Sequence, residues 1–99
     1  MKLPHYLFLG FVKLHILHHA GREAVYGLWL IEELAKHGYR LSPGTLYPIL
    51  HGMEREKLLA SKKRVVEGKS RRYYVLTRTG RKALQEGKRK AVELLEEIQ

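Results

Sequence analysis

The 99-residue chain contains no cysteine. That excludes a disulfide framework and any thiolate metal site, and it fits a reducing compartment. No apolar run is long enough to cross a bilayer: the stretch Leu7 to Leu17 is broken by Gly10, Lys13 and His15, and it falls short of the ~20 residues a spanning helix requires. Pro4 precedes it and no small-residue cleavage site follows, so we expect a cytoplasmic protein with no membrane association. A Gly-rich phosphate cradle, paired loop carboxylates and a nucleophilic thiol are also missing, which argues against an enzyme and implies no cofactor. Neither an internal repeat nor a low-complexity tract appears. A chain this short buries only ~60–65% of its unfolded surface, so a second copy would add to a thin core.

Acidic residues are scarce in one place. Residues 60–90 hold twelve Lys and Arg against two acids, Glu67 and Glu86, whereas the rest of the chain holds seven bases and eight acids. A surface kept only for solubility mixes both signs. A basic segment beside a near-neutral body is the footprint of a polyanion binder. Nucleic acid is favoured over a membrane surface because the segment contains a strand pattern, not an amphipathic helix with its own apolar face.

The chain is organised around Ser42 to Leu59. Ser42 suits a helix N-cap and Pro43 the first helical position, where its missing N–H costs nothing. At 100° per residue, Leu46, Ile49, Leu50 and Met53 share one face, which must be buried. The opposite face carries Gly44, Pro48, His51 and Arg55, with Tyr47 and Gly52 at its margins. It is small or ring-shaped near its start and ends in two hydrogen-bond donors, so another molecule's backbone could come close. Pro48 removes one helical hydrogen bond and predicts a loosened first turn.

Residues 5–19 read as a first helix, apolar nearly all round and ended by Gly21, which needs cover on two sides. A second helix is expected from Ala24 to His37, with Leu28, Ile31, Leu34 and Ala35 as its stripe and Gly38 past its end. A short turn then leads to the Ser42 helix, giving a helix-turn-helix. After Leu59 the period changes to two. Ala60 to Val66 and Arg71 to Thr77 read as strands around a turn at Glu67-Gly68-Lys69-Ser70, with Tyr74 and Leu76 facing inward. Thr77 caps a last helix from Arg78 to Ile98. In that helix Leu84, Ala91 and Ile98 recur every seven residues as a seam for one more helix. The expected fold is α+β and mainly α: a winged helix-turn-helix with a two-stranded β-wing and a C-terminal dimerisation helix. Residues 1–77 form the DNA-binding part and 78–99 the dimerisation helix of the same unit, helix 5–19 contributing to a twofold dimer.

Specific residues then carry a resemblance. Ser42-Pro43-Gly44-Thr45-Leu46-Tyr47-Pro48-Ile49-Leu50-His51, Glu54-Arg55 and Leu58-Leu59 closely resemble the PadR-type winged-helix transcriptional regulators. Arg71-Arg72-Tyr73-Tyr74-Val75-Leu76-Thr77-Arg78-Thr79-Gly80-Arg81 matches that family's wing and final helix, and Tyr26-Gly27 with Ile31-Glu32-Glu33-Leu34 its second helix. The resemblance spans about residues 20–85, and the single short terminal helix looks like the smaller subgroup. It implies a homodimeric repressor of double-stranded DNA whose third helix enters the major groove while the wing reaches the flanking minor groove or backbone. A small aromatic effector held near the dimer interface is a further implied partner.

Ser42 and Thr45 at the helix N-terminus suit phosphate. His51 and Arg55 suit base edges, Arg toward guanine, with Pro48 allowing close approach. Tyr47 serves either a phosphate or packing against the second helix. Lys62, Lys63, Arg64, Lys69, Arg71 and Arg72 are expected to neutralise phosphates from the wing. Leu7, Phe8, Phe11, Leu84, Ala91, Leu94, Leu95 and Ile98 are the expected dimer contacts. Trp29 is either a core residue or an aromatic wall for the effector. His15, His18 and His19, at i, i+3 and i+4, form a spacing that could hold Zn²⁺ or Ni²⁺, although the dipole at a helix C-terminus also explains them. The alternative function is a small basic RNA-associated protein, though the aromatic platforms for single strands are missing.

Overall fold

The computed structural model describes residues 2–99. Seven elements follow in order: α1 (His5–Arg22), β1 (Val25–Tyr26), α2 (Gly27–Lys36), α3 (Pro43–Arg55), β2 (Leu59–Val66), β3 (Lys69–Leu76) and α4 (Arg78–Ile98). The three strands form one antiparallel sheet in the order β1-β3-β2. The core is made where α1, α2 and α3 pack onto the base of this sheet: Ile16 from α1, Leu30 and Leu34 from α2, Leu46, Leu50 and Met53 from α3, Leu59 from β2 and Tyr74 from β3 are all essentially excluded from solvent. Full burial of one such side chain stabilises by roughly 1.5–3 kcal/mol, so this small set dominates the stability of the domain.

Several boundaries differ from the sequence reading, each for a physical reason. Gly21 does not end α1, which continues to Arg22. A Cβ there would lie 2.9 Å from Leu76 Cδ2, so the glycine admits close packing of β3 against the helix. Val25–Tyr26 is not the start of α2 but a two-residue strand, pairing Val25 with Tyr74 and Tyr26 with Tyr73. The helix begins at Gly27 and buries Gly27, Leu30 and Leu34, so Leu28, expected on the apolar stripe, is 54% exposed. Its end follows expectation: Gly38 takes φ +88°, and the N–H groups of Gly38 and Tyr39 return to the carbonyls of Ala35 and Leu34.

Ser42 occupies the N-cap position of α3, but its hydroxyl does not cap the backbone and instead donates to Thr45 Oγ1 at 3.4 Å. The Ser42 carbonyl accepts from the N–H groups of Thr45 and Leu46. The helix then runs through Pro48 without a break. It closes as α2 does, with Lys57 in the αL position at φ 68° and the Leu58 N–H on the Met53 carbonyl. A lysine there carries a strain of ~1 kcal/mol that a glycine would not.

The hairpin turn is tighter than the sequence pattern implied. Val66 pairs with Lys69, so only Glu67 and Gly68 lie outside the ladder, both at positive φ, as in a type I′ turn. Thr77 caps α4 as expected: its hydroxyl accepts from the Gly80 N–H at 2.9 Å and donates to the Lys57 carbonyl at 2.5 Å. A Cβ on Gly80 would overlap the Leu58 carbonyl, which fixes the start of α4 against the end of α3. Further along, α4 crosses α1 where Gly87 meets Leu14. Beyond that crossing every residue from Lys88 to Gln99 is exposed. This mainly helical architecture with a small antiparallel sheet is a winged helix.

Candidate nucleic-acid interface

The apolar pattern of α3 dictates which face turns outward. With Leu46, Leu50 and Met53 buried and Ile49 half-buried, residues Gly44, Thr45, Pro48, His51 and Arg55 are all exposed along one side. Tyr47 lies at the margin, half-buried, its ring packed over Gly27 so closely that a Cβ there would overlap the hydroxyl. That contact anchors α3 to α2 and sets the glycine at the first position of α2.

The wing cations do not share one face, a point the sequence reading did not resolve. Side chains alternate along a strand, and directly paired residues lie on the same side. The register pairs Ser61 with Tyr74, Lys63 with Arg72 and Arg64 with Arg71. Buried Tyr74 marks the side facing α3, so Lys63 and Arg72 share it, whereas Lys62, Arg64, Lys69 and Arg71 lie on the opposite side. The opposite set stands against two tyrosines. Arg71 lies 4.4 Å from the ring centre of Tyr26 and Arg64 5.0 Å from that of Tyr73, and the two rings meet edge to face. Such stacking contributes ~0.5–1 kcal/mol each and holds the guanidinium groups in place while leaving them donors to spare.

On the α3 side a polar chain joins helix to wing. Ser61 Oγ donates to Glu54 Oε2 at 2.8 Å and accepts from Arg72 at 3.0 Å. His51, Glu54, Arg55 and Arg72 line a groove of about 400 Å³ between the two elements. Glu54, Ser61, Tyr26 and Tyr73 thus organise the surface; Tyr26, Glu54 and Tyr73 fall within the motifs that carry the family resemblance, but the sequence reading gave none of the four a role. The Tyr-Tyr alternation with arginines was the available signal for Tyr73; nothing in local spacing announces Glu54 or Tyr26.

The other expected sites are placed as follows. Phe8 and Leu84 are half-buried against this chain's own core. Leu7, Phe11, Ala91, Leu94, Leu95 and Ile98 are exposed. Trp29 is half-buried with its ring edge-on to His19 at 5.4 Å, beside a cavity of about 140 Å³. The histidine set changes membership: His18 is exposed and stays outside, and His37 from the end of α2 joins His15 and His19 in its place. Burial, with the charges of neighbouring histidines, holds both His15 and His19 below the ordinary imidazole value. Partial desolvation pushes Glu33 up, but the His37 hydrogen bond, Lys36 and His19 outweigh it and keep the carboxyl below its usual range. No helix among the described residues is long and apolar enough to cross a membrane.

Comparison with known proteins places this geometry. The sequence profile of the family described as "Transcriptional regulator PadR-like family" matches residues 16–86. Transcriptional regulator Rv3488 from Mycobacterium tuberculosis is 55% identical over 87 residues, which are 88% of this chain and 81% of that protein. The crystal structure of a PadR family transcriptional regulator from Eggerthella lenta aligns with a TM-score of 0.82 at 32% identity, covering 94% of this chain and 82% of its own. That of a PadR-like transcriptional regulator from Bacillus cereus aligns with a TM-score of 0.82 at 33% identity, covering 90% and 88%. With the winged helix, its exposed donor-bearing third helix and its cationic hairpin in view, the chain belongs to the PadR-like family of transcriptional regulators and is not an enzyme.

Proposed function

We propose that the protein is a homodimeric, sequence-specific repressor that works in the cytoplasm by inserting α3 into the major groove of duplex DNA. The observation that carries this reading is the continuous surface formed by the exposed side of α3 and the two-sided basic wing. His51 and Arg55 would read base edges, Arg55 toward guanine. Ser42 and Thr45 at the helix N-terminus would meet phosphate, and Pro48 offers no long side chain to hold the duplex away. Lys63 and Arg72 on one side of the hairpin, and Lys62, Arg64, Lys69 and Arg71 on the other, suit a wing that straddles a minor groove between two phosphate walls.

The dimer part of the proposal is supported by apolar surface without cover within one chain. Val92, Leu94, Leu95 and Ile98 project on the last three turns of α4, and Leu7 and Phe11 on α1. A twofold pairing of these helices would hide them and set two recognition helices about one DNA turn apart, ~34 Å. An aromatic effector near Trp29 would need walls from the second chain, because the cavity of about 140 Å³ is below the usual volume of a ligand pocket.

The test is binding of the full chain to duplex DNA from the region upstream of its own coding sequence, in excess random competitor. Arg55→Ala is expected to cost ~1–3 kcal/mol on the specific site and to leave random-sequence binding unchanged. Equal losses on both would move Arg55 to a backbone contact. Equal affinity of the intact protein for duplex RNA and DNA would favour the RNA-associated alternative.

A further inference from the structure

Three imidazoles from two different helices converge where the end of α2 packs beside α1. His15 and His19 lie four residues apart on α1, and His37 caps the end of α2. One ring nitrogen from each lies within 4.8 Å of the other two. Glu33, one turn before His37, brings Oε2 to 3.3 Å from His37 Nε2 and 3.8 Å from His19 Nε2. Its other oxygen, Oε1, is engaged by Lys36 at 3.5 Å. The carboxylate is therefore oriented by a neighbour while one oxygen faces the imidazoles.

We propose that His15, His19 and His37, with Glu33 as fourth donor, form a site for a divalent transition metal of the Zn²⁺ class. Two features distinguish the cluster from ordinary helix-surface histidines. His19 Nε2 is buried with no hydrogen-bond partner among the described residues, and a buried unpaired nitrogen needs an explanation that a metal supplies. Two of the rings are also flanked by aromatics, His19 by Trp29 at 5.4 Å and His15 by Tyr39 at 5.2 Å between ring centres. Apolar walls around a set of imidazoles exclude competing water and hold ring orientation.

The donor chemistry selects the ion. Three imidazole nitrogens and one carboxylate oxygen suit Zn²⁺, Ni²⁺ or Cu²⁺ and not the hard Ca²⁺ or Mg²⁺, which want mostly oxygen. Ligands of a tetrahedral zinc at ~2.0–2.1 Å stand ~3.4 Å apart, so the three imidazole nitrogens, now within 4.8 Å of one another, must draw together by no more than about 1.4 Å. Burial and mutual repulsion already favour the neutral form of His15 and His19, the form that binds metal. Closure would tie α1 to the end of α2, at the start of the turn leading to the recognition helix.

The experiment is calorimetric titration of ZnCl₂ into the full chain without DNA, so that its outcome is independent of the proposed operator binding. One equivalent per chain, with a dissociation constant in the micromolar range or below, is expected. His19→Ala and His37→Gln should each weaken binding at least ~10-fold, and Glu33→Gln should weaken it measurably. His18→Ala and His51→Ala should leave it unchanged. His37→Gln alters an exposed cap and carries the test if His19→Ala fails to fold. No binding by the intact chain overturns the proposal. Binding that is lost in His18→Ala but kept in His37→Gln overturns it in favour of a set on α1 alone.

Discussion

Tyr74 shows what a single residue does in this fold. It is fully buried at the base of the wing, yet its hydroxyl has no partner among the described residues. A buried hydroxyl left unmade costs roughly 1–3 kcal/mol. Burial, reinforced by the Glu54 carboxylate and only partly offset by Arg72, raises the phenol above its ordinary value of 10.0. A raised value means the folded state holds the proton more tightly than the unfolded chain. The associated stability is complete below the unfolded value, about 10, and is lost as pH climbs through the folded one. Tyr74→Phe removes both effects. It is expected to raise the thermal midpoint at pH 7, by ~4–8 °C for each kcal/mol recovered, and to flatten the loss of stability above pH 10. Thermal unfolding of the two proteins across pH 7 to 11 checks both.

The wing shows the same logic across an element. Its alternation puts Lys63 and Arg72 toward α3 and Lys69 and Arg71 on the other side, with Arg71 stacked on Tyr26. A wing that straddles a groove meets phosphates with both faces. Lys63→Ala and Lys69→Ala should then each reduce the slope of log affinity against log salt by ~0.9, and the pair by twice that. Fluorescence titration between low and moderate salt measures it, and a slope that responds only to Lys63 would mean the wing lies flat with one face on the duplex. The elements themselves were largely legible from sequence, because α3, β3 and α4 carry long periods and explicit stop signals: the apolar spacing of Leu46, Leu50 and Met53, the inward Tyr74 and Leu76, the Thr77 cap. What escaped was non-local. Two residues, Val25 and Tyr26, cannot display a period, and they become a strand only because β3 passes beside them. Gly21 reads as a terminator until Leu76, fifty-five positions later, is seen to fill the space above it. His37 joins His15 and His19 only through the packing of α2 on α1, whereas the spacing within one helix pointed to His18. Glu54 entered the sequence reading only as part of a family motif, and its role depends on Ser61 and Arg72 arriving from two strands.

For the molecule as a whole, the shape is the telling quantity: the described chain measures 50 × 32 × 20 Å, elongated for its size. The last turns of α4 carry Leu94, Leu95 and Ile98 at more than half exposure. Exposed apolar surface of this kind on a helix end marks an interaction site. The purified protein is expected to sediment at twice its chain mass of 11.6 kDa. Leu95→Glu/Ile98→Glu should yield a folded monomer that keeps its circular dichroism, because neither side chain touches the core, and that loses preference for a two-half-site operator. Sedimentation and operator titration of the same sample check the two halves of this expectation, and a variant that remains dimeric would place the interface elsewhere.

The junction at Thr77 gives that assembly a mechanical character. Its hydroxyl donates to the Lys57 and Leu58 carbonyls, and a Cβ on Gly80 would overlap the Leu58 carbonyl, so the segment that ends α3 packs directly on the beginning of α4. In a twofold pair the two long helices would then behave like the arms of a caliper. Their crossing angle at one end would set the gap between the jaws at the other, and fit to an operator could be adjusted from the handles with the domains themselves unchanged.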